Sequence, residues 1–200
     1  MSEKKRALRS ELIAARARMT QDDRAARSLA IADRIAQVAA FRDARIVALY
    51  APLGTEVDSS EIARRALARA VRLVYPRTVQ GDRRLVFARA EPRDLVRGPL
   101  GALEPPPAAP EISRDEVDCV VIPGVAFSKD GLRLGRGGGY YDATLNKMPR
   151  AFRLGVAFDA QVVPELPREP HDASLDALVT EARVLLFSRG PGQPAAQADK

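Results

Sequence analysis

The chain has no tryptophan, and only 5% of its residues are aromatic. Binders of single-stranded nucleic acid usually line a groove with stacking aromatics, so this scarcity argues against that class. There is one cysteine, Cys119, and one histidine, His171. No disulfide framework can form, and a zinc site built from clusters of His and Cys is excluded. Cys119 stands in the apolar run VDCVVIP, where an inert, buried thiol is expected. No apolar run approaches the roughly 20 residues of a membrane span, and the opening MSEKKRALRSELIAARARM has no apolar signal core. The expectation is a cytoplasmic protein with no membrane partner.

Lys and Arg number 32 against 26 Asp and Glu, a formal net charge of +6. The excess favours anionic partners without choosing among phosphates, polycarboxylates and nucleic acid. Many arginines alternate with Ala and Glu, as in EIARRALARA, and such a run reads first as a solvated helix face. With 46% hydrophobic residues, the length suits one domain over residues 1–188. The polar RGPGQPAAQADK after it reads as a disordered tail, residues 189–200.

Leu8, Leu12, Ala15 and Met19 recur at helical spacing, and TQDD at 20–23 supplies a break and a fresh N-cap for a second helix to about Ala40. RIVALY (45–50) and VRLVYP (71–76) read as strands on either side of a helix opened by a D-x-x-E cap at Asp58. This is a βαβ unit, which implies a parallel sheet covered on both faces. VDCVVIP has the continuous apolar character of a central strand, RLVFAR (84–89) that of a peripheral one. The proline-rich EPPPAAPEI (104–112) cannot enter a sheet interior. A helix from YYDATLNKM and late strands from RLGVAF, DALVT and RVLLF complete the pattern.

The stretch with most chemistry is LGRGGGYYDATL (134–145). Glycines between a strand and a helix leave N–H groups unshielded, so they can converge on an anion beside the helix N-terminus. The stretch has neither the Gly-Lys-Ser/Thr of a Walker loop nor the early position of a dinucleotide fingerprint. A tight packing turn is the other reading. Arg133 and Arg136 add positive charge, and Asp142 offers a hard oxygen ligand for magnesium or, alternatively, a helix cap. Asp172, in EPHDASLD, is a second metal-ligand candidate or a turn residue. Lys5 and Arg9 share one helix face and suit phosphate oxygens, or simply face solvent.

KRALRSEL, GTEVDSSEI, YPR, GVAFSKDGLRLGRGGGYYDATL and EPHDASLD, in this order, resemble the 5-formyltetrahydrofolate cyclo-ligases, also called 5,10-methenyltetrahydrofolate synthetases. The resemblance runs to about Phe187. It implies an α/β fold of three layers, α/β/α, with a mostly parallel central sheet and two N-terminal helices. It also implies an enzyme, a ligase forming a C–N bond, that uses ATP as co-substrate and Mg2+ to turn 5-formyltetrahydrofolate into 5,10-methenyltetrahydrofolate with release of ADP and phosphate.

Carried over by position, the ATP-binding residues are Lys5, Arg9, Arg77, Arg133, Leu134, Gly135, Arg136, Gly137, Gly138, Gly139, Tyr140 and Tyr141. Glu56, Arg136, Gly137, Gly138, Gly139 and Tyr140 meet the folate, with Arg136 and Tyr140 as catalytic residues. Asp142 and Asp172 hold magnesium. Ala143 follows YYD where relatives often have arginine. Two other classes compete: a small-molecule kinase on the same scaffold, and a basic module that binds nucleic acid.

Overall fold

The computed structural model describes residues 3–188, so the expected tail lies outside the described residues. Helices α1 (Glu3–Ala17) and α2 (Gln21–Ile35) open the chain. Thr20 caps the second, its Oγ1 accepting from the Asp23 N–H at 3.1 Å and satisfying one free amide of the first turn. The helix ends at Ile35, short of the expected residue 40, because Val38 is extended and a four-residue helix, α3 (Ala39–Arg42), follows. That break turns Phe41 into the core.

Strand β1 (Ile46–Ala48), helix α4 (Ser60–Ala68) and strand β2 (Arg72–Thr78) form the expected unit, with the two strands parallel. The cap of α4 differs from the expectation by one residue. Ser59 holds the N-cap position, yet its hydroxyl donates to the Tyr50 carbonyl at 2.8 Å, while Asp58 accepts from the Ser60 N–H at 2.9 Å. The start of α4 is thereby tied to the end of β1. At its other end the Ala70 N–H donates to Leu67 O (2.9 Å) and Val71 N–H to Ala66 O (3.1 Å), with Ala70 at φ +58°. This is the Schellman arrangement, and its left-handed position normally carries glycine.

Then come β3 (Leu85–Arg89), β4 (Val96–Arg97), β5 (Leu103–Glu104), β6 (Glu111–Ile112), β7 (Cys119–Ile122), β8 (Ala126–Ser128) and β9 (Arg133–Leu134). Helix α5 (Tyr140–Leu145) precedes β10 (Phe152–Val156), β11 (Val162–Val163), β12 (Ala177–Val179) and β13 (Val184–Leu186). The main sheet has eight strands in the order β13-β12-β10-β7-β1-β2-β3-β6. The run from β12 to β2 is parallel, and β13, β3 and β6 add antiparallel edges. The strand at VDCVVIP is central, and RLVFAR is peripheral, as expected.

Alternation along these strands divides the core. Val47, Leu73, Cys119 and Val121 face α2 and α4 through Ile31, Ile35, Ile62 and Ala66. Ile46, Val74, Val120 and Ile122 face the other way, toward Phe127, Leu145 and Met148 around α5. A separate three-stranded sheet, β11-β8-β9, packs its Ala126 and Leu134 near Leu8 and Leu12 of α1. Helix α1 is thus held over the mouth of the strands it precedes in sequence. Among the described residues no helix is long and apolar enough to cross a membrane.

Ala70 has a left-handed backbone that costs a residue with a Cβ roughly 1–2 kcal/mol. Ala70→Gly is expected to raise unfolding stability by about 0.5–1 kcal/mol, the gain being reduced by the extra chain entropy of glycine. Urea denaturation of the two proteins checks it.

Candidate functional site

The carboxyl ends of β1, β2 and β7 open into one cavity of about 650 Å³, the usual location for a ligand in an open α/β sheet. Tyr50 and Leu53 follow β1, Pro76 and Thr78 end β2, and Pro123 and Gly124 follow β7. Helix α1 contributes Lys5 and Arg9, the glycine stretch supplies one wall, and the loop carrying Glu169, His171 and Asp172 supplies another. Parallel pairing explains the convergence: β1, β2 and β7 run the same way, so their carboxyl ends emerge side by side at this edge of the sheet.

Most of the residues expected at the site are brought together here. Lys5, Arg9, Glu56, Arg133, Leu134, Gly135, Arg136, Gly137, Gly138, Gly139, Tyr140, Tyr141, Asp142 and Asp172 all line the cavity. Arg77 does not. Neighbouring residues of a strand face opposite sides, and while Pro76 and Thr78 line the cavity, Arg77 donates to the carbonyls of Pro106 (3.0 Å) and Pro107 (3.1 Å) and pairs with Glu111.

The charged groups of the cavity meet in pairs. The Lys5 ammonium, almost fully buried, lies 2.9 Å from Asp172 Oδ2 and 3.3 Å from Glu169 Oε2. Arg133 Nη2 donates to Asp142 Oδ1 at 3.0 Å, and its guanidinium carbon stands 5.5 Å from the centre of the Tyr141 ring. Arg136 Nε donates to Glu56 Oε1 at 3.0 Å and its Nη2 to Leu53 O at 3.0 Å, which ties the glycine stretch to the loop after β1. Arg9 Nε donates to the Gly135 carbonyl at 2.7 Å. Burial, reinforced by the negative Glu56, pushes the phenols of Tyr50 and Tyr141 well up, so both remain protonated at neutral pH.

The solvated-face reading of Lys5 and the capping reading of Asp142 both fail. Lys5 is buried, and the N-cap of α5 is Gly139, which leaves Asp142 as the third residue of the helix. Asp142 also accepts from the Ala173 N–H at 3.3 Å, so its carboxylate joins α5 to the Asp172 loop. Asp172 closes its own loop by accepting from the Glu169 N–H at 2.7 Å. Its carboxylate therefore has a turn role and a cavity role at once.

The glycines differ from one another. Gly137 and Gly139 have φ of +112° and +71°, whereas Gly138 has an ordinary φ, and a Cβ on it would stand 2.7 Å from Tyr140 Cδ2. Among the described residues the N–H groups of these three glycines donate no hydrogen bond. They are the free donors that anion binding requires.

A hard divalent cation fits this donor set. Asp142 and Asp172 both present carboxylate oxygens to the cavity, and ligand atoms of Glu169, His171 and Asp172 lie within 4.8 Å of one another. Sequence reasoning missed Glu169 and His171 as cavity residues. It also missed Thr78, Arg83, Glu104 and the apolar Leu100 and Leu103. The E-P-H-D spacing was a usable signal for Glu169; nothing local marked Glu104.

A family model described as the 5-formyltetrahydrofolate cyclo-ligase family matches residues 1–181. A 5-formyltetrahydrofolate cyclo-ligase of Mycolicibacterium smegmatis is 31% identical over 152 residues, covering 72% of this chain and 78% of the relative. That of Escherichia coli is 33% identical over 147 residues, covering 70% and 80%. The solved structure of Aquifex aeolicus 5,10-methenyltetrahydrofolate synthetase superposes with a TM-score of 0.80 at 30% identity over 98% of this chain and 99% of that one.

Substitutions at the last two glycines should separate backbone need from space. Gly139→Ala places a side chain in a left-handed conformation and is expected to cost about 1–2 kcal/mol of stability. Gly138→Ala only has to turn the half-buried Tyr140 ring, so its stability cost should stay below about 1 kcal/mol. Denaturant titration of both variants measures the difference.

Proposed function

The chain belongs to the 5-formyltetrahydrofolate cyclo-ligase family, and on that premise we propose that it closes 5-formyltetrahydrofolate to 5,10-methenyltetrahydrofolate with ATP and Mg2+, releasing ADP and phosphate. One observation carries this reading. Free glycine amides line a single cavity together with buried cations, two aspartates and the Glu56 carboxylate. An anion and a ring with hydrogen-bond donors therefore have adjoining places.

An N-formyl carbon is a weak electrophile because the nitrogen lone pair is shared into its carbonyl. In the proposed reaction the formyl oxygen attacks the γ-phosphorus, and the bond to the ADP oxygen breaks. The N10 lone pair then attacks the activated carbon, closing a five-membered ring. N10 loses its proton, and the carbon–oxygen bond breaks as phosphate leaves. What remains is a cation shared over N5, the new carbon and N10.

The residues have roles that follow from their chemistry. Gly137, Gly138 and Gly139 offer amides to phosphate oxygens, and Lys5, Arg9, Arg133 and Arg136 offset their charge. Leu134, Gly135 and Tyr141 shape that wall. Glu56 accepts from the amino-pyrimidine donors of the folate, and in the free protein Arg136 keeps that buried carboxylate paired. Tyr140 and Arg136, on the same cavity wall, are assigned to the formyl group, whose oxygen takes the phosphoryl group and then departs with it as phosphate. Asp142 and Asp172 would hold the magnesium, which when bound neutralises phosphate charge and fixes the phosphates for in-line transfer.

Asp142→Asn and Asp172→Asn should each raise the magnesium concentration for half-maximal activity by about tenfold or more, since even partners behind metal ligands cost 10–100-fold. Following the methenyl absorbance in magnesium titrations tests both. No methenyl product from the folded, unsubstituted protein at saturating ATP and magnesium would overturn the reading.

A further inference from the structure

The cavity contains a buried carboxylate that the proposed reaction leaves without a task. Glu104 is 6% exposed, and among the described residues no cation pairs with it. A buried, unpaired carboxylate is costly unless strong donors hold it. Its donors all come from one residue: Thr78 N–H at 2.9 Å, and Thr78 Oγ1 at 3.0 and 2.9 Å from the two carboxylate oxygens. On its other side it is pressed against Gly98, where an added Cβ would stand 2.4 Å from Glu104 Cδ.

Strands β4 and β5 pair only with each other, Val96 opposite Glu104 and Arg97 opposite Leu103, with the Gly98 N–H donating to Ala102 O at 2.8 Å. They form a hairpin outside the main sheet. Leu100 and Leu103 on this hairpin line the cavity while remaining 53% and 44% exposed, an apolar surface with no protein cover. The clamp of Glu104 on Thr78 joins that surface to the end of β2, and Arg77 holds the chain just beyond it through Pro106 and Pro107.

We infer that Glu104 is a positioning residue: by clasping Thr78 it holds the hairpin of residues 96–104 so that Leu100 and Leu103 form the wall on which an aromatic ring of the folate rests. The inference rests on the proposed folate reaction for the identity of the ligand, but the clamp itself does not. Two adjoining hairpin leucines suit an aromatic ring and offer nothing to a triphosphate. With the folate ring as their occupant, the clamp should matter to the folate and not to ATP, whereas with an adenine on the same leucines its loss would raise the ATP KM instead. Glutamine keeps an acceptor oxygen for the Thr78 donors, whereas alanine removes it.

The test compares the unsubstituted protein with Glu104→Ala and Glu104→Gln, measuring the KM for each substrate and, without ligands, amide hydrogen exchange across residues 96–104. Glu104→Ala should raise the folate KM about tenfold, the scale of losing hydrogen bonds to a charged acceptor, and leave the ATP KM within about twofold. The hairpin amides, including that of Gly98, should exchange faster. Glu104→Gln should recover most of the folate affinity and of the protection. Equal rises in both KM values, or unchanged hairpin exchange in Glu104→Ala, would overturn the inference. A glutamine variant as impaired as alanine with its exchange intact would overturn it as well, assigning the carboxylate to direct substrate contact. Should the unsubstituted protein make no methenyl product, the folate reading fails, and the exchange data still decide the clamp.

Discussion

Charges buried in pairs are the constraint on which this cleft depends. Lys5 with Asp172 and Arg133 with Asp142 each join a buried cation from one segment to a carboxylate from another, and the exposed Arg136 does the same for the buried side chain of Glu56. Removing one partner of such a pair leaves a charge in poor solvent, which costs about 3–5 kcal/mol when the site is well buried. The pairs thus fix α1, the glycine stretch, the loop after β1 and the Asp172 loop relative to one another. They also keep in place groups that an anionic ligand and a cation would engage.

The sheet explains why those segments are near one another at all. Parallel strands β1, β2 and β7 all end on one side, and Ser59 draws the start of α4 back to Tyr50. Arg16 serves the same purpose from α1, donating to Thr55 Oγ1 at 3.0 Å and to Gly124 O at 3.2 Å, one contact on each of two cavity loops. Burial lowers the pKa of this guanidinium, partly countered by the negative Glu56 nearby. Its charge is tolerable because those acceptors meet it.

What the sequence disclosed is what local rules encode. The Thr20 cap, the β1–α4–β2 unit and the central apolar strand at Cys119 follow from spacing and composition over a few residues. Positions that depended on distant partners were less accessible. Helix α2 stops early because tertiary packing claims Phe41. Alternation along β2 places Arg77 opposite Pro76 and Thr78, a local signal that the motif YPR obscured. Glu104 stands in a proline-rich stretch that read only as loop, and its partner Thr78 lies in another element, so no window of sequence contains the pair. Glu169 and His171 joined the site because the Asp172 loop folds over Lys5, a contact between the two ends of the described chain.

The account makes the formyl oxygen the phosphoryl acceptor and assigns the two halves of one cavity to ATP and folate. Supplying 5-formyltetrahydrofolate with 18O in the formyl group, then analysing the inorganic phosphate released as methenyl product forms, tests this most directly. The account predicts that the label appears in phosphate in a one-to-one ratio with the product. Methenyl product accompanied by unlabelled phosphate, or a stable phosphorylated acceptor with no ring closure, would contradict it.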